Sequence, residues 1–455
     1  MNTQDVSRRV VVTGMGVASS IGSTVEDLWL SCVESRSGIR PTREDETLPL
    51  ASVAPVDAFT GKIQDFGALD DSKKKAIRKG VKLMAREIQM GVASAQLALE
   101  HAKIAAPLPS RRVGVSFASD YVVTPPQEVV AAMVACREYV DGKPVLNFEK
   151  WRELGIENMT PLWQLKYLTN MSASHITIYN EFFGPAFDVT NREASFAVAL
   201  AEAVETIKSG RADYMIVGAT GTRIHPYRFV DALKYGEISP SVLKNGVSNS
   251  NATACARPFD ARRNGAIPGE GAGAIFIETA ESALARGAKI YAEIVGGAHR
   301  GVVKRSAQRA DLVSTRESLR ESFRLALNAL VEKTGLKPSE LGSVNANARG
   351  DVALDAAEAL ALRDVFGDEM DRIPVASLKG HLGNPGAGSG AIEMIAGLLA
   401  LDRNALFATL NYEEPDPNCP VSPTREFGVA PGDSFVKLCA NSIGQTSAVL
   451  ARRFE

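Results

Sequence analysis

Short apolar runs alternate along the chain with longer segments in which apolar residues recur at helical spacing. Runs of the strand type occur at 9–14, 113–118, 186–190, 213–218, 274–278, 290–296, 343–346, 435–441 and 447–453. Helical spacing predicts helices around 24–34, 79–102, 193–208, 315–334 and 355–366. Strands that alternate with helices in this way are typical of layered α/β proteins whose sheets are mainly parallel.

Two stretches interrupt this alternation. Residues 40–75 are rich in Pro, Asp and Lys, which predicts a surface loop. Residues 120–165 are harder to assign, and their prolines predict an insertion between core elements. Since the strand and helix pattern then repeats in a similar style, we divide the chain into an N-terminal half, 1–287, and a C-terminal half, 288–455.

Composition and charge narrow the class of protein. The chain has 455 residues, of which 45% are hydrophobic and 23% charged, as in ordinary soluble proteins. A net charge of −2 gives no electrostatic case for binding nucleic acid or an anionic membrane. The five Cys and five His are scattered, which predicts reduced thiols and no metal site. A polar N-terminus and the lack of a long apolar run predict a cytoplasmic protein.

The stretch FDVTNREASFAVALAEA predicts a strand that stops sharply and feeds a helix. The strand covers Phe187–Thr190, Asn191 fits an N-cap, and the apolar helix follows. Many enzymes display a nucleophile at such a strand-to-helix turn. Here the side chain at the head of the helix is that of Glu193.

Residues 258–273 are distinctive because glycines there are dense enough to let backbone approach backbone closely. A phosphate cradle of the Rossmann type is not favoured, since these residues lead into a strand rather than a helix. A tight structural turn is the better interpretation.

These residues, with other motifs in order, resemble the thiolase-fold β-ketoacyl-acyl carrier protein synthases of the ketosynthase II type. The motifs are RRVVVTGMG near the N-terminus, Ser37-Gly38-Ile39, Gly184-Pro185, SGRADYMIVG from Ser209, and RPFD from Arg257 followed by GEGAG. The resemblance runs from about residue 8 to the end. It implies a thiolase-like α/β fold of two pseudo-symmetric halves, layered α-β-α-β-α.

The family's mechanism, as the resemblance implies it, needs a Cys at the head of a buried helix and two His residues. The Cys carries the acyl chain, and the His residues assist decarboxylation of malonyl-carrier protein and the carbon–carbon bond formation that follows. No metal or other cofactor is implied. The substrate arrives on an acyl carrier protein.

This sequence departs from that triad at all three positions. Without a gap from Gly184-Pro185, the Cys position holds Glu193. Asn347 stands where the first His belongs, after Val344-Asn345-Ala346. The distance from Lys379 to Glu393 matches the family's spacing and places Asn384 at the second His.

Two residues imitate the lost groups. His381 follows a glycine as the family His does, but aligning it needs both a deletion and an insertion, so we interpret it as a surface or loop His. Cys255, in Thr-Ala-Cys-Ala, opens no predicted helix and is interpreted as an incidental thiol.

The C-terminal loop also departs, because Gln445 replaces a Phe that gates the family's pocket. The frame is kept: Lys379 and Glu393 are expected to form a buried pair that supports the loop.

The substitutions change what the site can do. A helix N-terminus stabilises a carboxylate, so Glu193 is expected to be ionised. Asn cannot exchange a proton near neutral pH as His does. Asn347 and Asn384 are instead expected to donate hydrogen bonds to Glu193, which predicts a small, closed pocket.

Three functions remain open. The resemblance favours a non-condensing chain-length or chain-initiation factor that pairs with an active ketosynthase, with Trp163, Leu165, Leu168 and Met171 at the interface or limiting the acyl tunnel. The second is an acyltransferase or malonyl decarboxylase that uses Glu193; related priming decarboxylases keep both His, which argues against it. The third is a homodimeric acyl-binding scaffold.

Overall fold

The structure is a computed structural model that describes residues 8–43, 46, 48–104, 107–243, 254–303 and 314–455. In chain order the strands are β1 Val10–Ser19, β2 Arg40–Pro41, β3 Ser52–Val53, β4 Val113–Ser119, β5 Arg137–Val140, β6 Lys143–Leu146, β7 Ala186–Thr190, β8 Tyr214–Thr222, β9 Glu270–Thr279, β10 Ala292–Gly301, β11 Ser343–Asn345, β12 Pro374–Ala376, β13 Ser422–Pro423, β14 Ser434–Ala440 and β15 Gln445–Arg452. The α-helices are α1 Val25–Val33, α2 Asp71–Gly80, α3 Arg86–His101, α4 Pro126–Ala135, α5 Met171–Asn180, α6 Ser195–Lys208, α7 Pro226–Lys234, α8 Ala280–Ala285, α9 Arg316–Thr334, α10 Val352–Phe366, α11 Lys379–Leu382 and α12 Gly388–Arg403.

The main sheet contains the same strand arrangement twice. Its order within the described residues is β13-β12-β11-β14-β15-β10-β1-β9-β8-β4-β7. In the first half β7, β4 and β8 are parallel, and β9 and β1 follow antiparallel. In the second half β12, β11 and β14 are parallel, and β15 and β10 follow antiparallel. The two halves join where β1 pairs with β10, which confirms the predicted pseudo-symmetry.

Helices α6 and α12 form the central layer. Both contact strands of both halves, whereas α3 packs on β1, β8 and β9, and α9 packs on β10 and β15. This arrangement confirms the predicted α-β-α-β-α layers. The two central helices approach closely at Gly390, where an added Cβ would lie 2.9 Å from the Phe196 Cβ. A larger residue at this position would therefore separate the helices.

The sequence predictions were wrong for two segments of the first half. Residues 40–75 are not simply a surface loop, because Leu50, Val53 and Phe66 are almost fully buried. Phe66 packs in the cluster that includes α3 and the sheet, whereas Leu50 and Val53 pack in a separate cluster with Phe229 of α7. The helix predicted over 79–102 is broken, since the backbone at Met84 is extended. The polar composition of these segments gave no sign of either feature, because their buried apolar residues stand singly among polar ones.

The insertion predicted at 120–165 consists of α4, the β5–β6 hairpin and short turns between β4 and α5. Much of it lies on the surface, with large apolar side chains exposed. Among the helices that the structure describes, none has the length and apolar character required to cross a bilayer.

Candidate active site

Polar residues gather where the parallel strands end. Asp120, Asn191 and Arg223 directly follow β4, β7 and β8, while Asn347 and Asn441 follow β11 and β14. The carboxyl ends of parallel strands meet at one edge of a sheet, and such edges are the usual binding crevices of α/β proteins. Because the two halves face each other across α6, both edges contribute to one site.

Glu193 lies at the turn between β7 and α6. A single 3₁₀ turn, Arg192–Ala194, precedes the helix, so α6 begins two residues later than Glu193. Arg192 has a φ of 51°, a left-handed conformation that is uncommon for a residue with a side chain. The Asn191 side chain makes no capping hydrogen bond. The backbone N–H of Asn191 instead donates to the Ser195 hydroxyl at 2.6 Å. The turn directs Glu193 into the interior.

The Glu193 carboxylate is held by two arginines and one amide. Its Oε1 accepts from Arg223 Nη2 at 2.7 Å, Arg349 Nη1 at 3.2 Å and Asn384 Nδ2 at 3.1 Å. Although burial favours the neutral acid, the two arginines hold the pKa of the Glu193 carboxyl well below its usual range. The predicted ionised state is therefore confirmed, with guanidinium groups as its main partners.

The hydrogen bond predicted from Asn384 is confirmed, and the one predicted from Asn347 is wrong. The Asn347 Oδ1 accepts the Ala440 N–H at 2.9 Å, and its Nδ2 has no hydrogen-bond partner among the described residues. The β14 backbone thus orients this amide, and Arg349, two residues later, reaches Glu193 in its place.

Sequence reasoning missed both arginines as partners of Glu193. For Arg223 the signal was its position, directly after a strand that runs parallel to the one before Glu193. For Arg349 the signal in the sequence was a charged residue at a position where the family has a short polar turn. A cation near a buried carboxylate is required by the cost of burying an unpaired charge.

The predicted pair of Lys379 and Glu393 is confirmed and has a third member. Lys379 Nζ binds Glu393 Oε1, and Lys437 Nζ lies 2.6 Å from Glu393 Oε2. All three side chains are at most 1% exposed. Burial disfavours the charged amine, but the Glu393 carboxylate raises the pKa of Lys437 above its usual value. A lysine inside the apolar run of β14 was the sequence signal for this third member.

Two acidic residues of α10 hold the turn around Asn347. Asp355 accepts the N–H groups of Phe259, Arg349 and Gly350, and Glu358 accepts the Asn347 N–H at 2.7 Å. Burial raises the pKa of the Asp355 carboxyl to about 6 and that of Glu358 to about 8.

We expect Glu358→Gln to change how stability depends on pH. Burial raises the pKa of the Glu358 carboxyl to about 8, above its value in the unfolded chain. The contribution of the protonated Glu358 side chain to the free energy of unfolding is therefore full in acid and is lost as pH rises toward 8. Between pH 5 and pH 9 the wild type should lose on the order of 2–4 kcal/mol more than the variant, measured by urea unfolding. Parallel stability curves would contradict this.

His381 is not the surface or loop His that the sequence predicted. It is fully buried in the short helix α11. Its ring nitrogens contact the carbonyl oxygens of Arg36 at 2.7 Å and Ala408 at 3.0 Å. Burial lowers the pKa of His381, so the ring is neutral and its single N–H can donate to one of these two carbonyls.

The loop after β14 is fixed by its own side chains. Asn441 Nδ2 donates to Gln445 Oε1 at 2.8 Å, and Asn441 Oδ1 accepts the Gln445 N–H at 3.1 Å. Gln445 is the first residue of β15, so the substituted gate position starts a strand. Cys255 is only half-buried and lies outside the cluster at Glu193.

The predicted interface residues follow the insertion. Trp163 and Leu165 lie in the 3₁₀ turn Trp163–Tyr167, and Met171 begins α5. Leu168 is 44% exposed, and the other three are partly exposed. This part of the chain is free to meet another molecule, and its role in a tunnel stays a prediction.

The arrangement at Glu193 is closed. Glu193, Asn347, Asn384, Arg223 and Arg349 are each at most 3% exposed. No group of three or more metal-ligating side chains occurs within the described residues. At the three predicted positions the site presents an ion-paired carboxylate and two amides, while the nearby carboxyls with raised pKa values, Asp355 and Glu358, are buried and accept backbone N–H groups.

The sheet repeats one strand arrangement around α6 and α12, and Glu193, Asn347 and Asn384 lie at the carboxyl ends of its parallel strands. This arrangement defines the thiolase class of fold. The family model of the β-ketoacyl synthase N-terminal domain matches residues 7–283, and that of the β-ketoacyl synthase C-terminal domain matches residues 298–413. The chain belongs to the β-ketoacyl synthase family.

Curated relatives agree over most of their length. A 3-oxoacyl-[acyl-carrier-protein] synthase 2 of Synechocystis sp. is 29% identical over 413 residues, which is 90% of each chain. The mitochondrial 3-oxoacyl-[acyl-carrier-protein] synthase of Arabidopsis thaliana is 30% identical over 426 residues, or 90% of this chain and 85% of that one.

Solved structures share the fold over nearly the whole chain. A β-ketoacyl synthase from Burkholderia phymatum has a TM-score of 0.79 at 25% identity, over 98% of this chain and 100% of that one. The ishigamide ketosynthase/chain length factor has a TM-score of 0.77 at 24% identity. The ketosynthase AntDE, in complex with the acyl carrier protein AntF, has 0.76 at 22%. The last two each cover 99% of this chain and are covered in full.

Proposed function

We propose that this chain is a non-condensing ketosynthase-like subunit of the chain-length or chain-initiation type. It pairs in the cytoplasm with an active β-ketoacyl-acyl carrier protein synthase that builds fatty acid or polyketide-type chains. The observation that carries the proposal is the Glu193 carboxylate, buried and bound by two arginines at the position of the family's nucleophile.

The closed site argues against an independent enzyme. An ionised carboxylate at Glu193 would repel the carboxylate of a malonyl group, and its low pKa makes it a weak base. Arg223, Arg349 and Asn384 all bind the same carboxylate oxygen, Oε1, and they surround the group and restrict the approach of a substrate. The curated relatives are named as synthases; the Glu-Asn-Asn set is the reason for proposing a different role here.

The surface between β4 and β7 supports pairing with another subunit. More than half of the exposed large apolar side chains in the described residues lie between positions 121 and 183. Those that are more than half exposed include Tyr139, Val140, Phe148, Ile156, Leu162 and Phe183. Beside them, β7 is the last strand of the main sheet among the described residues, and its outer edge has no strand partner there. Exposed apolar patches and open strand edges are typical of interaction surfaces.

Replacing Phe148 and Ile156 with Asp is expected to weaken pairing at least tenfold. The side chains are 72% and 60% exposed, so the change should leave the fold intact while placing two charges in the interface. The measurement is co-purification with a Cys-His-His ketosynthase encoded near this chain. Leu284→Asp, at a 63% exposed site on α8 outside this surface, is the matched control. Equal recovery of partner with all variants would argue against this interface.

Helix α2 supports contact with the acyl carrier protein. Lys75, Arg78, Lys79 and Lys82 are exposed on α2 and the turn after it. Within the described ranges none of these four has a carboxylate at ion-pair distance. In a chain with a net charge of −2, this concentration of unpaired positive charge suits a carrier protein with an acidic face.

Reversing Lys75 and Lys79 to Glu is expected to weaken carrier-protein binding to the paired subunits by about tenfold at low salt. The effect should shrink as ionic strength rises, because these charges are exposed to solvent. Titration calorimetry or fluorescence anisotropy with the carrier protein gives the affinity. Lys289→Glu with Lys337→Glu reverses two other exposed lysines as a control. An equal loss in both double variants would contradict a specific docking face.

Co-expression of this chain with the active ketosynthase, followed by co-purification, decides whether the chain forms a heterodimer or a homodimer. Recovery of a one-to-one complex with the active ketosynthase supports the proposal. A stable homodimer that refuses the ketosynthase would favour the acyl-binding scaffold instead.

A further inference from the structure

Next to Glu193, three buried arginines have more hydrogen-bond donors than the chain satisfies. Arg223, Arg228 and Arg349 are 1–2% exposed. On each of them, two guanidinium nitrogens have no hydrogen-bond partner in the described part of the chain. The orphan acceptors beside them, Asp120 Oδ1, Glu193 Oε2 and Glu87 Oε2, are too few to pair with these six nitrogens. Buried donors in native proteins are almost always satisfied, so something else must accept these bonds.

The distances in this cluster point to a small bridging molecule. Arg223 Nη2 lies 3.7 Å and Arg228 Nη1 3.9 Å from Asp120 Oδ1. Arg349 Nη2 lies 3.6 Å from Glu237 Oε1. These separations are too long for good direct hydrogen bonds, whereas one water can bond to both members of such a pair. The guanidinium of Arg228 also stacks on Tyr121, with its Cζ 3.6 Å from the ring centre, which fixes its position.

The charge balance selects water over an anion. Arg192 also belongs to this network, and the four arginines are matched by four carboxylates, Asp120, Glu193, Glu237 and Asp231. An added anion would leave a net negative charge in the interior, which is costly. Water is neutral, accepts from the arginines and donates to the orphan carboxylate oxygens.

The structure assigns to this cluster a set of ordered water molecules that, with Asp120, Arg223, Arg228 and Arg349, forms a hydrated ionic core closed to an acyl chain. A methylene chain there would displace the water and leave buried guanidinium donors unpaired. The inference rests on the proposed function, because it places the growing chain on the partner's side of the complex.

The test is a high-resolution crystal structure of the full chain, alone and paired with its ketosynthase. Separate crystals are soaked with sodium bromide, measured at the bromine absorption edge, and with dodecanoyl-CoA. We expect ordered water within hydrogen-bond distance of the orphan nitrogens of Arg223 and Arg228, without bromide or acyl density. Arg228→Leu removes two of the orphan nitrogens and should contain fewer ordered waters.

Three results would overturn the inference: a bromide peak among the arginines, acyl density in the cluster, or guanidinium groups paired directly with no intervening water. If the Arg228→Leu variant does not fold, the wild-type crystals still decide the question. Acyl density at Asp120 would refute the closed core and leave pairing with the ketosynthase intact. A failure to pair would refute the proposed function and leave the hydration result standing.

Discussion

Glu193→Ala is expected to lower the free energy of unfolding by about 3–5 kcal/mol at neutral pH. The substitution removes the carboxylate that Arg223 and Arg349 contact at 2.7 and 3.2 Å and leaves both guanidinium groups buried with less compensation. Urea unfolding, followed by fluorescence and circular dichroism, measures the change. In an ordinary ketosynthase the same position carries chemistry, so loss of stability distinguishes a structural role from a catalytic one.

The pH dependence of this loss has a defined sign. The arginines hold the pKa of the Glu193 carboxyl below its unfolded value, against the effect of burial. Its stabilising contribution is therefore complete above the unfolded pKa and falls only as pH drops into the acid range. Glu193→Gln keeps the shape of the side chain but removes its charge. At pH 7 we expect it to lower the free energy of unfolding by less than Glu193→Ala does. This difference from the wild type should disappear in acid.

Glu202→Ala is the matched control for Glu193→Ala. Glu202 lies on the same helix, α6, but is 46% exposed and contacts the half-exposed Arg211 at 3.3 Å. Exposed pairs contribute at most about 1 kcal/mol. If Glu193→Ala were no more destabilising than Glu202→Ala, the ionic site would not hold the two halves together as we describe.

Glu393→Ala is expected to have an effect of similar size, a loss of about 3–5 kcal/mol in the free energy of unfolding. Among the described residues, Glu393 is the one carboxylate that lies within ion-pair distance of both Lys379 and Lys437, and all three side chains are buried. Removing it leaves two ammonium groups in an apolar interior. Differential scanning calorimetry or urea unfolding provides the measurement.

The control for Glu393→Ala is Glu205→Ala. Glu205 contacts Lys333 at 2.8 Å, but both side chains are more than 40% exposed. This variant should stay within about 1 kcal/mol of the wild type. A tolerated Glu393→Ala would show that water or a shift in the lysine pKa values replaces the carboxylate.

Much of the fold was predictable because local pattern and tertiary structure agree. The buried strands are nearly continuous apolar runs, and the glycines that allow α6 and α12 to touch are visible in the sequence. The buried residues of 40–75 were not predictable in this way, because single apolar residues such as Leu50 and Phe66 show no periodicity. Their burial depends on distant residues that pack against them, such as Phe229 for Leu50 and the residues of α3 and the sheet for Phe66.

The candidate site was predictable in its positions but only partly in its contacts. Spacing predicted that Asn384 and Glu193 meet, and Asn384 Nδ2 donates to Glu193 Oε1 at 3.1 Å. It misassigned Asn347, whose amide oxygen binds the Ala440 N–H of a strand more than ninety residues away. Spacing in the sequence also gave no distance between Arg223 and Glu193, which meet only when parallel strands align. Side-chain orientation of this kind depends on tertiary structure.

The ionic site gives a physical reason for a subunit role. Glu193 and Arg223 come from the first half, while Arg349 and Asn384 come from the second, so the cluster joins both halves at the turn that we propose to correspond to the family's nucleophile. The apolar surface at 121–183 and the basic face of α2 remain exposed for partners. The buried ionic cluster therefore stabilises the interior, while the exposed surfaces are available for recognition.

The central claim is that this chain does not condense or decarboxylate by itself and acts only with a ketosynthase. The most direct measurement is release of labelled CO₂ from malonyl-acyl carrier protein by the purified chain, by its ketosynthase partner and by the complex. The account predicts no release above background from the chain alone, and product formation by the complex that requires the partner's Cys. Release of CO₂ by the chain alone that Glu193→Ala abolishes, in a variant shown to be folded, would contradict it.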